Sequence, residues 1–177
     1  MTVVGWLMAV WCVGFAMVNV VMEASDHLAY GEYAEYTAAF TVMNWLVAVL
    51  KVLGAAVALL SVSRRPPRIP ARLLGMAVWG VFATLAVYVA GSMVQAVGMS
   101  TGLAGSADEL DVASVAYLCM FVAAASGWGV LAIAYSRRHD LGWDVPALGV
   151  LAAPVLLALL LLVVPTVLAE FGFMSTP

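Results

Sequence analysis

Charged side chains are scarce in this sequence, and that scarcity bounds the class of protein. Asp, Glu, Lys and Arg together make up 10% of the 177 residues, while hydrophobic residues make up 66%. Soluble domains carry roughly 25% charged residues, so a chain this apolar cannot keep its surface in water by folding alone. The composition therefore predicts an integral membrane protein whose first partner is the lipid bilayer.

The sequence also lacks the short motifs that mark many catalytic and metal-binding sites. Cys12 and Cys119 form no CxxC pair, and neither HExxH nor GxSxG occurs. Because those motifs supply redox thiols, zinc ligands or a serine nucleophile, their absence favours a protein that is not an enzyme. The arginines flank apolar segments and form no basic domain, which argues against nucleic acid as a partner. The residue pattern points to no particular cofactor.

Long apolar segments are present instead. They cover residues 3–22, 38–62, 73–98, 112–135 and 146–169. A helix needs about 20 apolar residues to cross the hydrocarbon core of a bilayer. Backbone groups in lipid are satisfied only in helices or closed barrels, and runs of this length lack the alternation of barrel strands. The sequence thus predicts an all-α bundle of five transmembrane helices that forms a single domain over residues 1–177.

The charges between these segments predict the orientation. The 63–72 and 136–144 connections carry all the arginines, whereas the 23–37 and 99–111 connections carry no Lys or Arg. Because cytoplasmic loops are enriched in basic residues, we expect the N-terminus in the cytoplasm and the C-terminus outside. The general composition, rich in Ala, Val and Leu with arginines on the inner loops, is typical of small bacterial proteins of the plasma membrane.

Lys51, the only lysine, lies near the middle of the second apolar segment. A basic side chain at that depth costs about 2.5 kcal/mol or more, so it is by default a functional-site hypothesis. Glu23 is predicted to lie roughly 16 Å nearer the outer surface, from the helical rise, so no carboxylate shares the depth of the lysine. Lys51 is therefore expected to be neutral through desolvation, hydrated in a cavity, or in contact with an anionic small molecule or lipid as its partner. Snorkelling without a ligand is the remaining alternative.

Polar side chains gather in the same half of the predicted bundle. The third segment has a polar stripe at helical spacing, and the other segments add polar residues near the same surface. The candidate ligand-binding residues are Lys51, Asn44, Tyr88, Ser92, Gln95, Asn19 and Tyr117. They predict an outward-facing polar cleft that binds, or moves, an anionic or amphiphilic small molecule. The alternative is that they only join helices through hydrogen bonds.

The 23–36 segment, EASDHLAYGEYAEY, raises a separate hypothesis. Glu23 and His27 are four residues apart and would share one face of a helix, with Asp26 beside them. Carboxylates and an imidazole can bind a divalent cation, so these three residues are candidate metal ligands. A solvated acidic loop is the alternative.

Two further functions stay open. The small size of the chain and its fifth segment, which includes the wholly apolar stretch LLALLLLVV, fit an accessory or regulatory subunit bound to a membrane protein partner. A membrane enzyme acting on a lipid or quinone would instead use a desolvated lysine as base or nucleophile.

Overall fold

A computed structural model of the chain describes residues 1–25, 37–63, 69–103, 105 and 111–170. Over these residues it contains no strand and the following helices: α1 Thr2–Ala24, α2 Thr37–Val62, α3 Ala71–Ser100, α4 Val112–Arg138 and α5 Asp144–Glu170. All 5 are long and apolar enough to cross a membrane. The predicted all-helical architecture is confirmed at that level, and each predicted segment lies inside the corresponding helix.

Successive helices run in opposite directions, so the bundle has two ends. At one end Gly5 of α1 lies against Val62 of α2, and Arg72 of α3 forms an ion pair with Asp144 of α5. We call this the Arg72 end. The opposite end holds the last turns of α1 and α3 and the first turns of α2 and α4, and we call it the Glu23 end after the carboxylate that bonds α2 there.

The core lies toward the Arg72 end and consists mainly of small side chains around one indole ring. Trp128, Ala58, Val78 and Ala132 are fully buried, and Cys12 of α1 packs in the same cluster. Small side chains allow helices to approach closely, which is the usual basis of helix association in lipid. Packing is therefore tight at this end, where α1, α2, α3 and α4 all contribute.

Glycine residues lie at the contact between α5 and α3. A Cβ atom on Gly149 would lie 2.7 Å from the carbonyl oxygen of Met76 and 2.7 Å from Cβ of Trp79. A Cβ atom on Gly80 of α3 would lie 2.9 Å from Cβ of Ala153. The backbones of α3 and α5 can approach this closely because neither glycine carries a side chain. Much of the remaining surface of α5 is exposed and apolar.

Candidate functional site

Lys51 is held at the interface between α1 and α2. Its ammonium group donates a hydrogen bond to Oδ1 of Asn19 at 3.1 Å and lies 4.8 Å from the centroid of the Phe15 ring. A cation over an aromatic ring gains about 0.5–2 kcal/mol, the upper figure applying when water is excluded. The lysine is partly exposed, and the contacts shown for its ammonium group are this amide oxygen and this aromatic face.

Hydrogen bonds continue from Lys51 to Glu23 through two asparagines. The Asn44 side chain donates to the backbone carbonyl of Asn19 at 2.8 Å and to Oε2 of Glu23 at 3.3 Å. The Asn19 side chain donates in return to the backbone carbonyl of Asn44 at 3.3 Å. Because each amide bonds the backbone of the other helix, the pair fixes the register of α1 against α2. We call these four residues the Lys51 network.

A cavity of about 450 Å³ lies between α3 and α4 at the Glu23 end. Space remains there because, among the described residues, α3 has no buried side chain beyond Ala83 and α4 none before Ala124. Hydrogen-bonding side chains line much of this α3–α4 cavity: Tyr88, Ser92, Gln95, Asp111, Ser114 and Tyr117. Apolar side chains, including Ala96, Met99 and Leu118, complete its wall.

Aromatic rings connect the α3–α4 cavity with the Lys51 network. Tyr117, in the cavity wall, packs against Phe15 with ring centroids 5.8 Å apart and against Phe121 at 5.3 Å. Tyr88, on the facing helix, packs against Phe121 at 4.6 Å. Phe15 therefore contacts both a tyrosine of the cavity and the ammonium group of Lys51. Lys51 does not itself line the cavity.

The residues predicted to bind a ligand thus fall into two groups. The cavity wall contains Tyr88, Ser92, Gln95 and Tyr117, whereas the hydrogen-bonded network between α1 and α2 contains Asn19, Asn44 and Lys51. Phe15 and Phe121, which join the groups, were not predicted, because a phenylalanine in an apolar segment carries no polar signal. Asp111 and Ser114 also line the cavity. Their spacing, an aspartate three residues before a serine at the start of a helix, is the sequence pattern of an N-cap.

Asp111 is the N-cap of α4. Its Oδ1 accepts a hydrogen bond from the backbone N–H of Ser114 at 2.8 Å, which is the usual bond between an N-cap and the third helical residue. Hydrogen bonds from the side chain and the backbone of Ser114 hold the pKa of Asp111 below its ordinary value. The carboxylate is consequently ionised at neutral pH. Among the described residues of the cavity wall, Asp111 is the one with a charged side chain.

The metal hypothesis concerned Glu23, Asp26 and His27. Asp26 and His27 lie outside the described residues, and Glu23 accepts the hydrogen bond from Asn44. Within the part of the chain that the structure describes, no group of three or more His, Cys, Asp and Glu side chains could hold a metal ion. A metal site formed by these three residues stays a prediction.

No protein-family model, curated protein or solved structure matches the chain. The hypotheses of ligand binding, of an accessory subunit and of a lipid- or quinone-directed enzyme all stay predictions at this point.

Proposed function

We propose that the protein spans a membrane and binds an amphiphilic small molecule in the α3–α4 cavity. The observation that carries the proposal is the mixed lining of that cavity, in which hydroxyl, amide and carboxylate groups lie beside alanine, leucine and methionine side chains. Its volume of about 450 Å³ falls within the range of small-molecule pockets, roughly 300–1,000 Å³. Such pockets are mostly apolar, with a few placed polar groups that orient the ligand.

The charged side chain of the cavity wall lies at its outer part, and apolar side chains line the cavity along its length. Gln95 and Asp111 lie near the helix ends, while Tyr88 and Leu118 lie further along α3 and α4 toward the core. Tyr88 and Tyr117 are 48% and 49% exposed, so each residue has surface that a ligand can cover. An amphiphile therefore fits with its head near Gln95 and Asp111 and its chain against apolar side chains such as Leu118, where burial contributes about 25 cal/mol per Å².

In this proposal the Lys51 network stabilises the pair of helices whose Phe15 packs against the cavity wall. It holds α1 against α2, and α1 carries Phe15, which packs on Tyr117 of the cavity wall. An anionic partner for Lys51 stays a prediction that is separate from the cavity, because the ammonium group bonds Asn19 and lies over Phe15.

The proposed orientation places the Glu23 end outside the cell and the Arg72 end in the cytoplasm. The support is the distribution of basic residues, since all the arginines belong to or flank the 63–72 and 136–144 connections. The N-terminus is then cytoplasmic, the C-terminus is external, and the cavity opens outward in the plasma membrane.

Cysteine labelling tests this orientation. In a background with Cys12→Ala and Cys119→Ala, Ser100→Cys marks the Glu23 end and His139→Cys marks the Arg72 end, and both positions are exposed. We expect a membrane-impermeant maleimide to label Ser100→Cys on intact cells and His139→Cys only after lysis. Labelling of His139→Cys on intact cells, with Ser100→Cys protected, would reverse the proposed orientation.

Filling the cavity tests the binding proposal. Ala96 lines the cavity, whereas Ala90 of the same helix is exposed and does not line it. We expect Ala96→Phe to weaken binding of a 12-carbon amphiphile at least about tenfold, or about 1.4 kcal/mol, because the added ring occupies space that the ligand needs. Ala90→Phe adds the same ring elsewhere on α3 and should bind as the wild type does. Native mass spectrometry in a polyoxyethylene detergent measures the bound fraction, and equal binding by both variants would refute the proposal.

A further inference from the structure

The α3–α4 cavity has a negative charge in its wall and no positive one. Asp111 lines it, and no Lys, Arg or His occurs among the described residues of the lining. The other polar groups, those of Ser92, Gln95 and Ser114 and the tyrosine hydroxyls, are uncharged. A carboxylate can accept about four hydrogen bonds, so the capping bond from Ser114 leaves Asp111 with capacity for a ligand. The electrostatics of the wall therefore favour a cationic or neutral head over an anionic one.

The tyrosines of the cavity add aromatic faces to this carboxylate. The face of an aromatic ring is electron-rich and attracts an ammonium group within about 6 Å of the centroid. Tyr88 and Tyr117 are each about half exposed as residues, and each ring also packs against Phe121. The same aromatic cluster already holds one cation, because Phe15 packs on Tyr117 and lies 4.8 Å from the Lys51 ammonium group.

The charge of the surrounding sequence has the same sign as Asp111. The 23–37 and 99–111 connections contain Glu23, Asp26, Glu32, Glu35, Asp108, Glu109 and Asp111 but no Lys or Arg. A surface of one charge raises the local concentration of ligands of the opposite charge and speeds their association. Because both connections join helix ends at the Glu23 end, their negative charge in the sequence favours the approach of a cation to that end.

We infer that the ligand of the α3–α4 cavity is an amphiphile with an alkylammonium head, which contacts the Asp111 carboxylate and the rings of Tyr88 and Tyr117. The inference rests on the proposed function, because it specifies the head of the amphiphile bound there. An alkylammonium group occurs both in free cationic amphiphiles and in zwitterionic lipid headgroups. Both sources carry the same alkylammonium group, but the lipid headgroup also carries a phosphate.

Four 12-carbon amphiphiles with different heads test the inference. They are dodecyltrimethylammonium, dodecylphosphocholine, dodecyl maltoside and dodecanoate, each titrated into the full-length protein and followed by native mass spectrometry. We expect dodecyltrimethylammonium to bind roughly tenfold more tightly than dodecyl maltoside, from the combined attraction of a carboxylate and aromatic faces. Dodecanoate should bind most weakly. Dodecylphosphocholine binding as tightly as dodecyltrimethylammonium would identify a lipid headgroup as the source, and much weaker binding would identify a free cationic amphiphile.

Asp111→Asn isolates the charge of the carboxylate. Asparagine is as good an N-cap as aspartate, so this variant keeps the start of α4. The preference is the Kd for dodecyl maltoside divided by the Kd for dodecyltrimethylammonium. We expect this ratio to fall in Asp111→Asn to about a third of the wild-type ratio or less. Unchanged preference in Asp111→Asn, or equal binding of the ammonium and maltoside heads by the wild type, overturns the inference while the proposed function stands. Failure of all four amphiphiles to bind would remove the proposed function itself.

Discussion

Replacing Asn19 by alanine is expected to destabilise the bundle by about 2 kcal/mol, because the loss of a hydrogen-bond partner of a charged group costs about 1.5–3 kcal/mol. The Asn19 side chain accepts from the Lys51 ammonium group and donates to the backbone carbonyl of Asn44. An average hydrogen bond between membrane helices contributes only about 0.6 kcal/mol. The expected effect is larger here because the substitution leaves a partly buried cation without its acceptor. Unfolding in mixed micelles of increasing sodium dodecyl sulfate content measures the change.

Lys51→Met is the matched control for this effect. It removes the charge and keeps a flexible side chain whose sulfur can pack on Phe15, so we expect it to cost less than about 1 kcal/mol. In the double variant Asn19→Ala, Lys51→Met the cost should fall short of the sum of the two single changes by about 1 kcal/mol. Strict additivity would show that the 3.1 Å contact between the ammonium group and Asn19 contributes nothing to stability.

Replacing Gly149 by alanine is expected to destabilise the packing of α5 on α3 by about 1–3 kcal/mol, the usual cost of extra volume in a filled contact. The added methyl group would lie 2.7 Å from the Met76 carbonyl oxygen, a backbone atom that cannot move without shifting the helix. The same unfolding titration, together with protease sensitivity of the C-terminal segment, measures the loss of docking.

Gly14→Ala provides the control for the glycine effect. Nothing lies within 4 Å of a Cβ atom at Gly14, so the alanine there meets no neighbour. Alanine is a better helix former than glycine by roughly 0.5–1 kcal/mol, so this variant should be as stable as the wild type or slightly more stable. Equal stability of the Gly149→Ala and Gly14→Ala variants would contradict the close approach of α3 and α5.

The tightly packed part of the bundle and the cavity lie at opposite ends. Buried residues such as Trp128 and Val78 lie toward the Arg72 end, whereas the cavity lies at the Glu23 end, where Tyr88 and Tyr117 are half exposed. Regions with few buried apolar contacts open at the lowest free-energy cost. Under the proposed function, a ligand enters between α3 and α4 while the packed end keeps the helices together.

The sequence shows the polar residues of the site but not their grouping. A stripe at helical spacing identifies Tyr88, Ser92 and Gln95, because periodicity is a local property that a single segment contains. It cannot show that these residues line a cavity while Lys51 bonds Asn19 in another interface. That division depends on the distances between helices, which involve residues far apart in the chain.

The sequence by itself determined the long helices of the described residues, their approximate bounds and their apolar character, because each segment of about 20 apolar residues carries that information within itself. The tertiary structure decided how the charge of Lys51 is compensated. From the sequence, helical rise predicts roughly 16 Å between the levels of Lys51 and Glu23, too far for an ion pair. The packing of α1 on α2 places Asn19 and Asn44 between them. The physical reason is that helix formation is local, whereas hydrogen bonds between helices and the spaces left between them depend on which faces meet.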